Sequence, residues 1–204
     1  MSIIRSYVRI ENYRVWVNGH EIFAYDGEKE IGKFLKALYK HLGMKYMKFF
    51  KMDNLSKAGL LAAEILVGNK ELTNHYKAEE IGITMANSVA SLDVDRKYYD
   101  TIKDAGNYFP SPALFVYTLP NIVLGEICIR HGFKGENAFF VQQDFDSDFF
   151  HFYNRELMEQ KGQKALISGW ADVEGKHLKV VLFLIEKEGK GMDSSPKNMD
   201  TIYS

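Results

Sequence analysis

The sequence has little of what marks secreted, membrane-spanning or nucleic-acid-binding proteins. Cys128 is its one cysteine, so no disulfide can form within the chain, and this indicates a reducing compartment. No stretch approaches the roughly 20 apolar residues of a membrane helix, and the first residues lack the apolar run of a signal peptide. The formal net charge of −1 gives no overall attraction to nucleic acid. We therefore expect a cytoplasmic protein without a membrane span or a nucleic-acid partner.

The sequence also lacks the spacing of a metal or cofactor site. The six histidines are scattered. Asp144, Asp146 and Asp148 imitate the start of a calcium loop, but Phe149 stands where that loop needs glycine and Arg155 where it needs glutamate. We expect no metal and no cofactor.

What is present is enough apolar sequence for a substantial core, because 46% of the residues are hydrophobic. Extended patterns cover 5–25, 81–86, 138–142, 165–168 and 178–186, and helical patterns cover 28–42, 55–67, 119–131 and 146–161. Asn18-Gly19 is a hairpin turn signal within the first extended pattern. The helix over 55–67 has little side-chain bulk at Ala58, Gly59, Ala62 and Ala63, so another element can pack close against it. Strands that alternate with helices predict an α/β domain over 1–186 with a largely buried sheet. Residues 187–204 are polar, with Gly and Ser-Ser-Pro, and are predicted to be a mobile tail.

Four segments occur in the order of one known family. They read "KFFKMDNLSKAGLLAAEI" (48–65), "IGITMANSVASLDVDRKYYDTI" (81–102), "YFPSPALFVYTLPNIVLGEICIRHGFKGENAFFV" (108–141) and "ALISGWAD" (165–172). From about Met44 to Asp172 the chain resembles the N-terminal half of the β-ketoacyl-acyl carrier protein synthases, or ketosynthases. The resemblance implies a thiolase-like fold, with a mixed, mostly parallel sheet covered by helices.

The sequence departs from the family pattern at the position of the catalytic nucleophile. The family places its catalytic cysteine nine residues after the last glycine of the third segment, and counting from Gly135 gives Asp144, next to Gln142 and Gln143. A thiolate at a helix N-terminus accepts acyl groups, whereas a carboxylate would form an unstable mixed anhydride. We expect Asp144 to cap the helix instead. The family's C-terminal half, with two catalytic histidines, has no counterpart in these residues, so we expect no catalytic residue and no condensing activity.

The ketosynthase family contains a non-catalytic branch, the chain-length factors, which carry glutamine or another residue instead of the cysteine. They pair with an active ketosynthase and help shape its tunnel. The resemblance implies such a partner subunit in fatty acid, polyketide or aryl-polyene-type biosynthesis. It also implies that the strand before the vacant site pairs across a two-fold axis, with a full-length ketosynthase or with a second copy. The interface residues would be Ala138, Phe139, Phe140, Val141 and Gln142.

Two further interpretations concern partners and packing. The stretch 33–51 contains no acidic residue, and its positive charge could dock an acidic acyl carrier protein. The alternative is that its lysines form an ordinary solvated helix face. Its lysines are Lys36, Lys40, Lys45, Lys48 and Lys51. Phe149 and Phe150 could fill the space of an acyl chain, or simply belong to the core. Half of a duplicated fold is also expected to expose an apolar helix face.

Two alternative functions stay open. One is a stand-alone acyl-thioester hydrolase or acyltransferase that uses Asp144 with an unidentified histidine. Cys128 and His131 are also close enough on a helix to interact, although a buried inert thiol is the simpler interpretation. The other is a homodimeric acyl-binding or scaffold protein.

Overall fold

A computed structural model describes residues 2–68 and 71–204, apart from the side chain of residue 71. Its strands are β1 (Ile3–Glu11), β2 (Arg14–Val17), β3 (His20–Ala24), β4 (Ile81–Asn87), β5 (Asn137–Val141), β6 (Ala165–Glu174), β7 (His177–Glu186) and β8 (Met192–Asp193). Its helices are α1 (Ile31–His41), α2 (Asn54–Val67), α3 (Glu71–His75), α4 (Leu92–Asp100), α5 (Pro112–Phe115), α6 (Ile122–His131), α7 (Ser147–Gln160) and α8 (Pro196–Tyr203), with 3-10 turns at Met47–Lys51 and Ala78–Glu80. Within these ranges no helix is long and apolar enough to cross a membrane.

The strands form one mixed sheet in the order β3-β2-β1-β7-β6-β4-β5, with β8 also paired to β1. Strand β4 is parallel to both β5 and β6, while β7 is antiparallel to β6 and β1. Helices α1, α2 and α6 cover one face, called here the first face, and α7 and α8 cover the second face. The structure therefore has the predicted α/β class, with a mixed sheet between helices.

Close packing on the first face depends on small residues of α2, as their pattern in the sequence indicates. Ala58, Ala62 and Ala63 are fully buried. A Cβ atom added to Gly59 would lie 2.5 Å from Cγ2 of Val123 on α6. A larger side chain at 59 would therefore push α6 away from α2.

The prediction of a mobile tail over 187–204 is wrong. Strand β8 pairs with the start of β1, and α8 buries Met199 and Ile202 against the second face. Tyr203 stacks on Phe145, with ring centroids 4.4 Å apart. The polar composition hid this helix, because its buried side chains occupy little more than one turn.

The outward face of α7 is polar, so this helix does not supply the expected exposed apolar face. Asp148, Arg155 and Glu159 are exposed there. Phe152 is the large apolar side chain among them, at 53% exposure, and the Arg155 guanidinium lies 5.6 Å from its ring centroid. Exposed apolar side chains occur elsewhere, including Ile129 on α6 at 67% exposure and a larger group within 99–119.

Candidate functional site: the β5 edge and the turn after it

Asp144 lies in a strand-to-helix turn, as the count from Gly135 predicts. Strand β5 ends at Val141, α7 begins at Ser147, and the Asp144 side chain is exposed between them. Asp144 is nevertheless not the cap, because the carboxylate of Asp146 accepts the hydrogen bond from Phe149 N–H at 2.9 Å. Among the described residues, Asp144 makes no hydrogen bond and no ion pair. Helix α7 begins at Ser147, later than a cap at Asp144 would require, so its N-terminal cap is Asp146.

Replacing Asp146 by alanine is expected to lower the free energy of unfolding by about 1 kcal/mol, because the first turn of α7 loses its side-chain acceptor. The matched variant Asp144→Ala is expected to change stability little, since no contact is removed. Urea unfolding followed by circular dichroism measures both. Equal losses for the two variants would contradict the assignment of Asp146 as the cap.

Gly135, nine residues before Asp144, allows close packing between strands. A Cβ atom on Gly135 would lie 2.2 Å from Oε1 of Gln163 and 2.4 Å from the carbonyl oxygen of Ile81. Strand β5 can therefore approach β4 at this end only with glycine at 135.

Aromatic rings pack tightly behind the turn. Phe145 stacks on Phe150 at 5.2 Å and on Tyr203 of α8 at 4.4 Å, and Phe150 is fully buried. Phe149 packs edge-on against Phe140 at 4.8 Å. Burial raises the pKa of the Tyr203 hydroxyl, and the nearby carboxylates of Asp172 and Asp144 raise it further. Phe150 thus has the core role that was one of its two interpretations.

A serine–aspartate pair lies where the carboxyl ends of β4 and β6 meet, and the sequence analysis missed it. Ser88 Oγ donates to Oδ2 of the buried Asp172 at 2.7 Å, although the residues are 84 positions apart. His177 Nε2 lies 3.9 Å from the same oxygen and its side chain is largely exposed. In a Ser-His-Asp triad the histidine takes the serine proton. Here the aspartate lies between the serine and His177, so this imidazole is not placed to do so.

Cys128 is not activated by its neighbour on α6. Burial raises the pKa of the Cys128 thiol, which favours the unreactive protonated form. His131 instead faces Glu64, with Nε2 3.4 Å from its carboxylate, and Arg130 binds the same carboxylate through two hydrogen bonds. Burial lowers the pKa of His131. The geometry supports an inert thiol.

Strand β5 lies at one end of the sheet, and no strand in the described part of the chain pairs with its outer side. Ile83 N–H donates to Glu136 O and Gln142 N–H donates to Asn87 O, each at 2.9 Å. In a parallel ladder, alternate residues bond to the same neighbour, so 136, 138, 140 and 142 face β4. The N–H and C=O groups of 137, 139 and 141 therefore point outward. Such an edge is a template for another strand.

An exposed apolar region, called here the aromatic surface, lies on the segment that precedes α6. Its members are Tyr99, Tyr108, Phe109, Phe115, Val116 and Leu119. Phe109, at 74% exposure, is tied to α4 by its N–H, which donates to Thr101 O. Ser91 Oγ, just beyond the end of β4, donates to Thr118 O at 2.8 Å. This contact holds the segment beside β4, the neighbour of the edge strand β5. On β5 itself, Val141 is 57% exposed.

The five lysines of the predicted docking stretch have different environments in the structure. Lys48 pairs with the buried Glu126 at 2.8 Å, so its charge is used within the fold. Lys36, Lys40, Lys45 and Lys51 are exposed and form no ion pair with the described residues. The exposed side chains of Met47 and Phe50 lie on the 3-10 turn between the last two of these lysines. No group of three or more potential metal ligands occurs in the described part of the chain.

Comparison with known proteins identifies the fold. No family model and no curated protein matches the sequence. The similar solved structures include four that match over 91–100% of this chain, at 10–15% identity. One is the ishigamide ketosynthase/chain length factor (TM-score 0.61, 15% identity, 91% of this chain). A second is a chain in the complex of the ketosynthase ApeO with its chain length factor ApeC from Xenorhabdus doucetiae (TM-score 0.58, 11% identity, 100% of this chain and 90% of that one).

The other two are the type II polyketide synthase complex AntDE:AntF (TM-score 0.63, 12% identity, 91% of this chain) and a β-ketoacyl synthase from Burkholderia phymatum STM815 (TM-score 0.59, 10% identity, 92% of this chain). Apart from the matched chain of the Xenorhabdus doucetiae complex, this chain spans only about 60% of the structures it matches (62%, 62% and 59%). The resemblance inferred from the sequence is thus confirmed at the level of the fold: the chain has the thiolase-like α/β fold of ketosynthases and chain length factors.

Proposed function

We propose that this chain is a non-catalytic partner subunit of a ketosynthase, similar to a chain-length factor, that acts in the cytoplasm in fatty acid, polyketide or aryl-polyene-type biosynthesis. The observation that carries the proposal is the open outer side of β5 immediately before a turn with no nucleophile. A ketosynthase strand would pair with the outward backbone groups of 137, 139 and 141.

The chemistry of the turn supports a non-catalytic role. Transfer from an acyl thioester needs a thiolate or a comparably activated nucleophile. Asp144 is exposed and makes no hydrogen bond or ion pair with a histidine among the described residues, and burial raises the pKa of the Cys128 thiol, which disfavours the thiolate. The hydrolase alternative therefore has no assembled base and nucleophile to support it.

The surfaces around β5 support a role in assembly. A chain that pairs with β5 would cover Val141, and a partner of ordinary interface size would also reach the aromatic surface. Exposed aromatic side chains are enriched at protein interfaces, where they contribute much of the binding energy. In this arrangement the side chains of 138–142 would lie beside the ketosynthase tunnel and help set its length.

The acyl carrier protein is a secondary partner in this proposal. Lys36, Lys40, Lys45 and Lys51 would attract its acidic surface, and the exposed Met47 would supply apolar contact. Lys48 does not take part, because its partner is Glu126.

Co-expression with a ketosynthase encoded nearby tests the assembly. Size-exclusion chromatography with light scattering is expected to show a stable mixed complex. Val141→Pro removes one outward N–H without touching the bonds to β4, and should weaken the complex at least tenfold, whereas the matched Val141→Thr keeps that N–H and should bind within a few-fold. Thermal melts of both variants alone check their folding.

Absence of a mixed complex at micromolar concentrations would overturn the proposal. Turnover of an acyl thioester by the purified chain alone would favour the hydrolase or acyltransferase alternative. Co-purified lipid in the absence of any ketosynthase would favour the acyl-binding alternative.

A further inference from the structure

We infer that a pocket beside α7 binds a small organic anion, one with a carboxylate or phosphate head and a short apolar part. The pocket, called here the α7 pocket, has a volume of about 310 Å³ and is lined by Ser2, His151, Arg155, Met158, Glu159 and Lys187. Ligand pockets have volumes of roughly 300–1,000 Å³, so this one suits a small molecule. Its walls come from the start of the chain, from α7 and from the residue after β7.

Hydrogen bonds through Ser194 hold these walls together before a ligand arrives. Oγ of the buried Ser194 lies 2.6 Å from Oγ of Ser2, and Ser194 N–H donates to Ser2 O at 3.1 Å. The carbonyl oxygen of Ser194 lies 2.7 Å from Nδ1 of His151. A carbonyl oxygen can only accept, so Nδ1 carries a proton, and Nε2 is left without a partner among the described residues. A site that is already formed costs a ligand less ordering free energy.

The charged side chains of the α7 pocket are mainly basic. Arg155 and Lys187 are exposed, and neither forms an ion pair with the described residues. The Arg155 guanidinium lies 5.6 Å from the ring centroid of Phe152, and this contact favours one orientation of the side chain. Glu159 is the one carboxylate among the described lining residues. Arginine binds carboxylates and phosphates through paired hydrogen bonds, and lysine binds them as a point charge, so the pocket has the charge for an anion.

The lining also has an apolar part. Met158 is 3% exposed and belongs to the hydrophobic cluster between α7 and the second face. Its unbranched side chain adapts to the shape of an apolar group. The methylene stems of Arg155 and Lys187 extend this apolar surface while their charged ends stay in water. An inorganic anion would leave the apolar part in contact with water, so an anion that carries a short alkyl chain fits better.

The α7 pocket is remote from the edge at which the ketosynthase is proposed to bind. Ser2 precedes β1 and Lys187 follows β7, whereas β5 is the third strand beyond β7 in the sheet. The anion and a partner on β5 can therefore be bound at the same time. Because separate segments form the pocket, the anion binds the folded chain alone and stabilises it.

Calorimetric titration of the purified chain with hexanoate and with hexyl phosphate tests the inference and distinguishes the two head groups. At least one of these anions is expected to bind with a dissociation constant below about 1 mM. Hexanol has the alkyl chain without the charge, and acetate and inorganic phosphate have the charge without the chain. Each of these three should bind at least roughly tenfold more weakly, because it uses only one part of the pocket.

Four variants locate the site. Arg155→Gln and Lys187→Gln should each weaken binding of the anion roughly fivefold, because each removes a charge that attracts it. Glu159→Gln should strengthen binding roughly twofold, because it removes a charge that repels the anion. The matched control is Lys190→Gln, an exposed residue outside the pocket, which changes the net charge equally and should leave the affinity almost unchanged. Thermal melts without ligand check that each variant folds.

The inference would be overturned if both anions bound more weakly than about 1 mM, or if hexanol bound as tightly as they do. It would also be wrong if Lys190→Gln weakened binding as much as Arg155→Gln, since attraction to the whole chain would then explain the affinity. The proposed function is tested separately: Val141→Pro should leave the affinity for the anion unchanged. A chain that binds the anion but no ketosynthase would keep this inference and remove the proposed function, and the opposite result would do the reverse.

Discussion

Truncation after Lys190 is expected to lower the free energy of unfolding by about 3–6 kcal/mol, a large part of the 5–15 kcal/mol typical of a domain. The truncation removes α8, whose Met199 and Ile202 are buried, and each such side chain contributes about 1.5–3 kcal/mol. It also removes the pairing of β8 with β1 and uncovers Phe145 behind the turn. Urea unfolding monitored by the fluorescence of the buried Trp170 measures the loss.

Two variants sharpen this test. Met199→Ala should cost about 2–5 kcal/mol while the rest of α8 remains. Lys197→Ala, on the exposed side of the same helix, should have almost no effect. A truncated chain with an unchanged urea midpoint would mean that α8 does not hold the second face, and that residues 191–204 behave as the tail that their composition suggests.

Gly169→Ala is expected to cost more than about 4 kcal/mol, enough to prevent stable folding. Gly169 has a φ of 144°, a conformation that side chains with a Cβ atom rarely adopt, and an added Cβ would lie 2.2 Å from the carbonyl oxygen of Val181. That oxygen belongs to the backbone of β7, so it cannot move away without distorting the β6–β7 ladder.

The matched control is Gly175→Ala in the turn between β6 and β7. Gly175 has a φ of 59°, but an added Cβ would meet nothing within 4 Å. The expected cost there is about 1 kcal/mol, from conformation alone. Soluble yield and urea midpoint of both variants make the comparison. Similar values for the two would show that β6 and β7 can separate at 169 without loss.

The proposed function depends on β5, so it has one structural prerequisite. The strand must keep its bonds to β4 while its outer side is modified. Val141→Pro satisfies this condition because its missing N–H is an outward one, so a weaker mixed complex would be due to the lost edge pairing.

The sequence by itself determined those features that depend on neighbouring residues. The Asn18-Gly19 pair predicts the hairpin between β2 and β3, and both residues have positive φ there. The small residues of α2 predict its close contact with α6. Gly135 and the strand before the turn locate Asp144 between β5 and α7. Local propensity and periodicity were sufficient for these, because they are fixed within a few residues along the chain.

The tertiary structure alone decided what depends on distant residues. Strand β6 was expected to end at Ser168 but continues to Glu174, because pairing with β7 holds Gly169 in place. Helix α8 forms against a surface made by β1, β7 and α7, which its polar sequence does not reveal. The Ser88–Asp172 pair, the Lys48–Glu126 pair and the outward direction of 137, 139 and 141 likewise arise only when separate segments meet. Their energies come from burial and pairing between segments that lie far apart in the sequence, and a local sequence pattern does not indicate such contacts.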